Sequence, residues 1–202
     1  MLLNLFTLSL NGSTVPANWK RSVIVPIHKK GPLHEVSNYR PINHTPVLSR
    51  IMEKIVKDNI ISYLLSLSLI NHNQHGFLRS RSCMTCQYDF LNLVTDSAES
   101  GKSLVVLYLD LSKAFDRVPH PHLLTKLRSF GIVDPLLSWF SSYLSHRSQV
   151  VLINGHTSNP KPVTSGVIQG SVLGPLLFLL YINDMFATIL NGTPFFSRTT
   201  SR

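Results

Sequence analysis

The chain has 202 residues, of which 44% are hydrophobic and 14% charged, so it can form a packed core and is not disordered throughout. Its two cysteines are too few for a disulfide-stapled secreted scaffold. The 19 basic and 10 acidic residues give a net charge of +9 that is spread over both halves of the chain. This charge favours an anionic partner such as nucleic acid or an anionic membrane. The alternative is that it only keeps the protein soluble.

The apolar N-terminus predicts a buried helix rather than a signal peptide. Residues 1–10 are rich in leucine, they lack a basic n-region, and the segment ends at Asn11-Gly12, a common helix stop. A second apolar run, residues 172–190, has Asn183-Asp184 in its middle, which disfavours a membrane-spanning helix. We therefore predict an intracellular protein, nuclear or cytoplasmic, without a membrane partner.

The next segments predict a strand, an irregular stretch and a helix. Residues 22–28 are β-rich, and Pro26 predicts an edge strand because proline has no N–H to donate. Residues 31–46 contain several prolines and are expected to be irregular. Residues 47–70 show apolar side chains at helical spacing.

The second half of the chain predicts a mixture of strands and helices. Residues 103–109 are almost continuously apolar, which predicts a strand buried on both faces. Two helices are expected over residues 120–131 and 134–146. The other predicted elements are strands over 148–153 and 160–164, joined through Asn154-Gly155 by a loop of more than two residues, and a helix over 171–190 that breaks near Asn183-Asp184. This mixture predicts an α+β or α/β fold.

The first candidate site is a carboxylate at the end of the apolar run. Asp110 directly follows residues 103–109, and a carboxylate there is costly to bury unless it is paired or holds a metal. Asp116 lies six residues further on and need not face the same way. The alternative is that Asp110 is a turn or N-cap residue.

A glycine-rich turn before the last predicted helix is the second candidate. Gly166 and Gly170 flank Gln169, so the backbone could approach a ligand closely and the helix start could offer N–H groups to an anion. The alternative is a simple strand-to-helix turn with Ser171 as the N-cap.

Basic residues near an irregular segment form the third candidate. Lys29 and Lys30 precede the stretch Asn38-Tyr39-Arg40-Pro41-Ile42, and such residues could bind phosphates. A solvated basic face is the alternative interpretation.

The cysteines form the last candidate. Cys83 and Cys86 follow His72 and His75, which would allow a Cys2His2 zinc site or a redox pair. The loop between the two pairs is short and basic, and no strand–helix redox pattern surrounds it, so a metal is disfavoured.

Taken in order, these segments resemble the reverse transcriptase domain of non-LTR (LINE-type, jockey-like) retrotransposons. The resemblance covers almost all of residues 15–186. The matching stretches are Val15-Pro16-Ala17-Asn18-Trp19-Lys20, Val25-Pro26-Ile27-His28-Lys29-Lys30-Gly31, Asn38-Tyr39-Arg40-Pro41-Ile42, Ile51-Met52-Glu53-Lys54-Ile55, Gln74-His75-Gly76-Phe77, Asp110 to Val118, Trp139, Tyr143-Leu144, Arg147-Ser148-Gln149-Val150, and Ser165 to Asp184.

The resemblance implies an α+β fold shaped as a right hand, with fingers and a partial palm, and an RNA-directed DNA polymerase that uses two divalent cations, Mg²⁺ or Mn²⁺. By this resemblance Asp110 is the first palm aspartate and a ligand of both metals, and the Leu111 carbonyl is a backbone ligand. Phe115 lies under the incoming sugar, where it favours deoxynucleotides. Asp116 matches a family position that is not a metal ligand.

The remaining implied contacts concern the nucleotide. Gln169 and Gly170 match the motif beside the templating pair, and Arg40, with Lys29 or Lys30, matches residues that hold the triphosphate. The implied partners are an RNA template, a DNA primer and deoxynucleotides.

The chain departs from the family at its end. Residues 1–102 correspond to the fingers, 103–190 to part of the palm, and 191–202 to a tail outside the family pattern. The family carries Ala-Asp-Asp in a hairpin after the motif that ends at Asp184, whereas no acid follows Asp184 here. One carboxylate does not hold two cations, so the chain alone is predicted to be inactive.

A frameshift would explain this departure. Suppose that Ser197, Arg198 and Thr199 are encoded TCG, CGG and ACG. The reading frame that starts at the third base of the Phe195 codon then encodes two apolar residues followed by Ala-Asp-Asp. The nucleotide sequence on either side of codon 195 tests this hypothesis.

Three functions therefore compete: an inactive polymerase fragment, a non-catalytic RNA- or DNA-binding remnant, and an incomplete domain without a function of its own.

Overall fold

The computed structural model describes residues 2–189 and 192–197, which form helices packed on a small mixed sheet. The helices are α1 (Leu2–Asn11), α2 (Val47–Ser66), α3 (Cys83–Glu99), α4 (His120–Ser129), α5 (Leu136–Leu144) and α6 (Gly174–Ile182). The strands are β1 (Arg21–His28), β2 (Tyr39–His44), β3 (Arg147–Ile153), β4 (His156–Thr157) and β5 (Lys161–Val163). This architecture confirms the predicted mixture of helices and strands. None of the described helices combines the length and apolarity needed to cross a membrane.

The sheet is organised around β1. Strand β1 pairs with β2 in antiparallel and with β3 in parallel orientation. The pairing with β3 ends at Ile24, whereas the pairing with β2 continues to His28. Strands β4 and β5 both pair with the far edge of β3, so β1 lies inside the sheet.

The prediction that Pro26 marks an edge strand is wrong, because β1 has a neighbour on each side. The N–H of Asn43 points away from β1, to the carbonyl oxygen of Gln169 at 2.9 Å, so Pro41, two residues earlier, sits at a pair without hydrogen bonds. Pro26 lies opposite Pro41, beyond the part of β1 that β3 reaches. The two prolines therefore remove no ladder bond, and residues 39–44, which were expected to be irregular, form β2.

The hairpin predicted at Asn154-Gly155 is confirmed, with a shorter loop. Ile153 pairs with His156 across two residues that both have positive φ, +49° at Asn154 and +80° at Gly155. This geometry is a type I′ turn, whose twist matches that of the two strands.

The predicted break in the last helix is also confirmed. Helix α6 ends at Ile182, and a 3₁₀ helix follows over Asn183–Thr188. The side chain of Asn183 donates to the carbonyl oxygen of Leu69 (3.0 Å) and accepts from the N–H of Asn71 (3.2 Å). These two bonds fix the end of α6 against the loop that follows α2.

The core is contributed mainly by α2, α4, α5 and α6. Its largest fully buried side chains are Trp139, Tyr143, Phe140, Met52, Leu64, Leu123, Leu127, Leu144, Leu173, Leu176, Leu177 and Leu179. Helix α6 is apolar all round, and such a helix is stable in water only when it is buried on every side.

The strand predicted over residues 103–109 does not form. These residues lie outside the sheet and form no regular element, and Val105 is 93% exposed. The prediction of a strand buried on both faces is wrong, because an apolar run becomes a buried strand only beside other strands. In the described ranges no strand lies next to it.

Helix α3 is a helix that the sequence analysis missed. Ser82 caps it: the Ser82 hydroxyl accepts from the N–H of Thr85 (3.3 Å), and the Thr85 hydroxyl accepts from the N–H of Ser82 (2.9 Å). No residue of α3 is fully buried, so the apolar spacing that reveals most helices is weak here.

Candidate active site

Two segments that the sequence singled out come together in the structure: the turn that follows Asp110 and the glycine-rich turn before α6. The N–H of Gly166 donates to the carbonyl oxygen of Val118, and the N–H of Val167 donates to that of Phe115, both at 2.8 Å. Gly166 has φ +88°, and a Cβ there would lie 2.8 Å from the carbonyl oxygen of Phe115. Glycine is therefore required for this close approach, which sets the turn over residues 112–117 against the glycine-rich segment.

The same segment is tied to the edge of the sheet. The carbonyl oxygen of Gln169 accepts from the backbone N–H of Asn43 (2.9 Å) and from its side-chain amide (3.0 Å). Gly170 has φ +105°, and a Cβ there would lie 2.7 Å from the carbonyl oxygen of Asn43. Gln169 and Gly170 therefore lie against β2, three residues along that strand from Arg40.

Glu53 is a residue of this site to which the sequence analysis gave no role. Its carboxylate accepts from the N–H groups of Val172 (2.9 Å) and Leu173 (3.2 Å), just before α6, and from the Ser49 hydroxyl (2.9 Å). The side chain is 1% exposed. Its sequence signal is an acid on the apolar face of α2, between Met52 and Val56, where charge is unexpected unless it is paired.

A buried arginine and tyrosine lie near Glu53. The guanidinium of Arg147 donates to the carbonyl oxygens of Tyr143 (2.9 Å) and Trp19 (3.1 Å), and it lies over the ring of Tyr143. Burial lowers the pKa of Arg147, and the electrostatic interactions with Tyr143 and Glu53 act against that shift. Burial, reinforced by the Glu53 charge, raises the pKa of Tyr143. The negative charge of Glu53 therefore offsets the positive charge of Arg147 inside the core.

Phe115 is held in an aromatic cluster. Its ring stacks on Phe178 with centroids 4.7 Å apart, and the Phe77 ring meets it edge-on at 5.8 Å. These contacts and the Val167 hydrogen bond fix the direction of the half-buried Phe115 side chain.

The segment over residues 192–197 returns to this cluster. Phe196 lies 6.2 Å from Phe178 between ring centroids, donates its N–H to the carbonyl oxygen of Asn73 (3.2 Å), and accepts from the N–H of His75 (2.9 Å). The other residues of the predicted tail over 191–202 lie outside the described residues; they are residue 191 and residues 198–202. The frameshift positions Arg198 and Thr199 fall in that part.

Asp110 and Leu111 are exposed and lie in the segment after residue 102 that forms no regular element. The expectation that Asp110 ends a buried strand is wrong for the same reason as the strand itself. Across residues 2–189 and 192–197, no three His, Cys, Asp or Glu side chains gather as a metal site. The described residues therefore do not assemble the several carboxylates that a two-metal centre needs.

The candidate phosphate-binding residues share one hairpin. Lys29 and Lys30 follow β1 directly, and Arg40 lies in β2 opposite Ile27. The N–H of Lys29 donates to the carbonyl oxygen of Asn38 (2.8 Å), which closes this end of the hairpin. The three basic residues therefore lie on the β1–β2 hairpin, whose second strand also contacts Gln169.

The cysteine candidate does not take the arrangement of a zinc site. Cys83 and Cys86 lie in the first turn of α3. The two ring nitrogens of His75 are directed elsewhere, Nδ1 to the Thr85 hydroxyl (3.0 Å) and Nε2 to the Asp89 carboxylate (3.3 Å).

Comparison with known proteins gives this arrangement a family. A model described as reverse transcriptase (RNA-dependent DNA polymerase) matches residues 27–198, most of the chain. The chain therefore belongs to the reverse transcriptase family, as its motifs indicated.

Similar proteins come from non-LTR retrotransposons. The chain is 32% identical over 182 residues to the RNA-directed DNA polymerase from mobile element jockey of Drosophila melanogaster, covering 90% of this chain and 20% of that protein. It is 33% identical over 171 residues to the probable RNA-directed DNA polymerase from transposon X-element of the same species, covering 84% and 19%. A Pol polyprotein from retrotransposable element R2 of Popillia japonica matches 49% of the chain at 33% identity, and 16% of that protein. The chain thus spans about a fifth of the length of the first two relatives.

Proposed function

We propose that the chain supplies the fingers and part of the palm of an RNA-directed DNA polymerase. In this proposal residues 1–102 are the fingers and 103–190 the partial palm, and residues 191–202 form a tail whose residues up to 198 lie within the family match. The observation that carries it is the family match over residues 27–198. The hydrogen bonds that hold the turn of Phe115 against the glycine-rich segment of Gln169 support it further. An RNA template, a DNA primer and deoxynucleotides are the proposed ligands.

The basic hairpin is the proposed binding site for the triphosphate. Arg40, Lys29 and Lys30 lie on it, and guanidinium and ammonium groups form strong charge-assisted hydrogen bonds with phosphate oxygens. Gln169 and Gly170 contact the same strand through Asn43, so they would lie beside the base of a nucleotide held there.

Phe115 is the proposed residue that selects the sugar. Phe178, Phe77 and the hydrogen bond from Val167 hold it in place, so its ring does not move aside at low cost. A fixed aromatic ring under the ribose position excludes a 2′-hydroxyl by steric overlap and thereby favours deoxynucleotides.

The proposed metal ligands are Asp110 and the Leu111 carbonyl. The family uses divalent ions, Mg²⁺ or Mn²⁺ in this proposal, and two such ions stabilise the attacking and leaving oxygens of nucleotidyl transfer. The donors present do not fit that pair of ions, because Asp110 stands alone and no acid follows Asp184 in the 202 residues. We therefore assign no catalytic step to this polypeptide alone.

Primer extension tests this assignment. The purified chain with template, primer, deoxynucleotides and Mg²⁺ or Mn²⁺ is expected to show no extension above background, since one carboxylate cannot complete the site. Product strands are resolved on a denaturing gel beside those of an Asp110→Ala variant. Extension by the wild type that Asp110→Ala abolishes would show that other groups complete the site, and would overturn the assignment.

A non-catalytic RNA- or DNA-binding remnant is the second candidate, favoured by the +9 charge and the basic hairpin. We expect sequence-independent binding to RNA and RNA–DNA duplexes that weakens steeply with salt, because each neutralised phosphate releases counterions. Arg40→Ala and Lys30→Ala should each lower the slope of log K against log salt by about one. Fluorescence anisotropy over a salt series measures these slopes.

Lys161→Ala is the matched control for binding, because Lys161 is exposed on β5, at the other edge of the sheet. It should leave the slope nearly unchanged. Equal effects of the three substitutions would mean that binding is not localised at the hairpin.

A further inference from the structure

The two cysteines of the chain lie one helical turn apart at the start of α3. Cys83 is the first residue of this helix and Cys86 the fourth, and both are half-buried thiols. The radius and rise of an α-helix place the Cα atoms of residues three apart at a separation of about 5 Å. This separation lies within the range of about 4.4–6.8 Å that a disulfide bridges.

The capping box of α3 holds this turn in place. The N–H of Cys86 donates to the carbonyl oxygen of Ser82 (3.1 Å), beside the two bonds that join Ser82 and Thr85. Side chains three apart share one face of a helix, with Cβ atoms about 5–6 Å apart. A disulfide needs its Cβ atoms about 1–2 Å closer than that, so the bond would tighten the turn and be strained. Strained disulfides are readily reduced, which makes such a bond reversible.

The surroundings make the two thiols unequal. Burial raises the pKa of the Cys86 thiol, and the neighbouring Cys83 raises it further, so the nucleophilic thiolate of Cys86 is scarce. Cys83 lies at the open end of the helix, shortly after Arg79 and Arg81. Basic side chains concentrate an anionic reagent near them, and glutathione disulfide is anionic through its carboxylates. These positions favour Cys83 as the thiol that reacts first.

We propose that Cys83 and Cys86 form a reversible redox site that exchanges with small anionic disulfides such as glutathione disulfide. The Cys83 thiolate attacks one sulfur of the disulfide, which forms a mixed disulfide and releases one glutathione. The Cys86 thiolate then attacks the Cys83 sulfur, closes the Cys83–Cys86 bond and releases the second glutathione. The two electrons and two protons that the cysteines lose are gained by the two glutathiones. An excess of reduced glutathione reverses both steps.

Thr85 connects this site to a buried side chain. It lies between the two cysteines, and its hydroxyl contacts Nδ1 of His75 at 3.0 Å. His75 is 4% exposed, and its Nε2 faces the Asp89 carboxylate at 3.3 Å. Because the disulfide tightens the turn that carries Thr85, oxidation should change the surroundings of the His75 ring.

Equilibration with glutathione tests the proposal. The 202-residue chain is held without air in buffers of varied ratio of oxidised to reduced glutathione, quenched with acid and alkylated, and its mass is measured. The oxidised chain should carry an internal disulfide and no glutathione, and reduced glutathione should restore both thiols. Cys83→Ser and Cys86→Ser should each stop at a mixed disulfide, because the second thiol is missing.

A shifted pair of cysteines is the matched control. Cys86→Ser combined with Tyr88→Cys places the second thiol five residues after Cys83, where the helix sets the Cα atoms about 9 Å apart, too far for a disulfide. Tyr88 is exposed, so the fold should tolerate the change. In native buffer the ratio of internal disulfide to dithiol should be lower than in the wild type by about tenfold or more. In concentrated urea the two chains should close alike, because the helix is gone.

NMR of the His75 ring tests the connection through Thr85. The ring signals, identified by their loss in His75→Gln, should shift when the wild-type chain is oxidised and should not shift in Cys83→Ser under the same treatment. Ring signals that stay in place in the oxidised wild type would rule out this connection.

Two other results would overturn the redox site itself. One is a native chain that keeps both thiols over the whole glutathione series or ends with glutathione on both cysteines. The other is equal closure by the wild type and the shifted pair in native buffer, which would show that α3 does not bring the thiols together. Neither result depends on the polymerase assignment, since no nucleotide or template is present.

Discussion

Replacing Glu53 with alanine is expected to lower the free energy of unfolding by about 3–5 kcal/mol, the range for breaking a buried charge network. The change leaves the N–H groups of Val172 and Leu173 and the hydroxyl of Ser49 without their acceptor. It also removes the negative charge of Glu53, which offsets the charge of buried Arg147. For a chain of this size such a loss lowers Tm by about 6–20 °C.

Urea and thermal unfolding measure this effect against two comparison variants. Glu53→Gln keeps one acceptor oxygen but loses the charge, so it should fall between the wild type and Glu53→Ala. Glu99→Gln changes an exposed acid at the end of α3 and should lie within about 0.5 kcal/mol of the wild type. A loss below about 1 kcal/mol for Glu53→Ala would contradict a structural role of the carboxylate.

Gly170→Ala is expected to destabilise the chain by about 2–4 kcal/mol, from backbone strain and weakened hydrogen bonds. An L residue rarely adopts φ +105°, and its Cβ would lie 2.7 Å from the carbonyl oxygen and 3.2 Å from the nitrogen of Asn43. These are backbone atoms of β2, so the strand edge must move, and the two bonds from Asn43 to Gln169 weaken with it.

Gly155→Ala separates the strain from the clash. Gly155 has φ +80°, but nothing lies within 4 Å of a Cβ built there, so its cost should be about 1–2 kcal/mol, from φ alone. Urea unfolding compares the two variants. Equal losses would show that the contact with Asn43 contributes nothing.

Local signals in the sequence were enough for several elements. The turn signal Asn154-Gly155 between two predicted strands predicts the β3–β4 hairpin, and two predicted helices separated by Gly131 correspond to α4 and α5. The break of α6 at Asn183 was also predictable, since a carboxamide in an apolar helix needs polar partners, here Leu69 and Asn71.

Elements whose state depends on distant neighbours were not predictable. Residues 103–109 are as apolar as a buried strand, but burial requires adjacent strands, and none lies beside them in the described part of the chain. Pro26 is tolerated inside the sheet because its pair with Pro41 carries no ladder bond and β3 ends before it, and no local pattern reveals either fact. Glu53 was visible as an acid on an apolar helix face, yet its acceptor role depends on residues 119 and 120 positions away.

The glycine-rich segment is held by parts of the chain that are far apart in sequence. Asn43 and Gln169 are 126 residues apart, Glu53 and Val172 are 119 apart, and His120 reaches the carbonyl oxygen of Gly166 across 46. Closing such long loops slows folding, whereas local pairs such as α4 and α5 form quickly. We expect the candidate site to assemble among the last events of folding, so that a partly folded chain has native helices but lacks the candidate site.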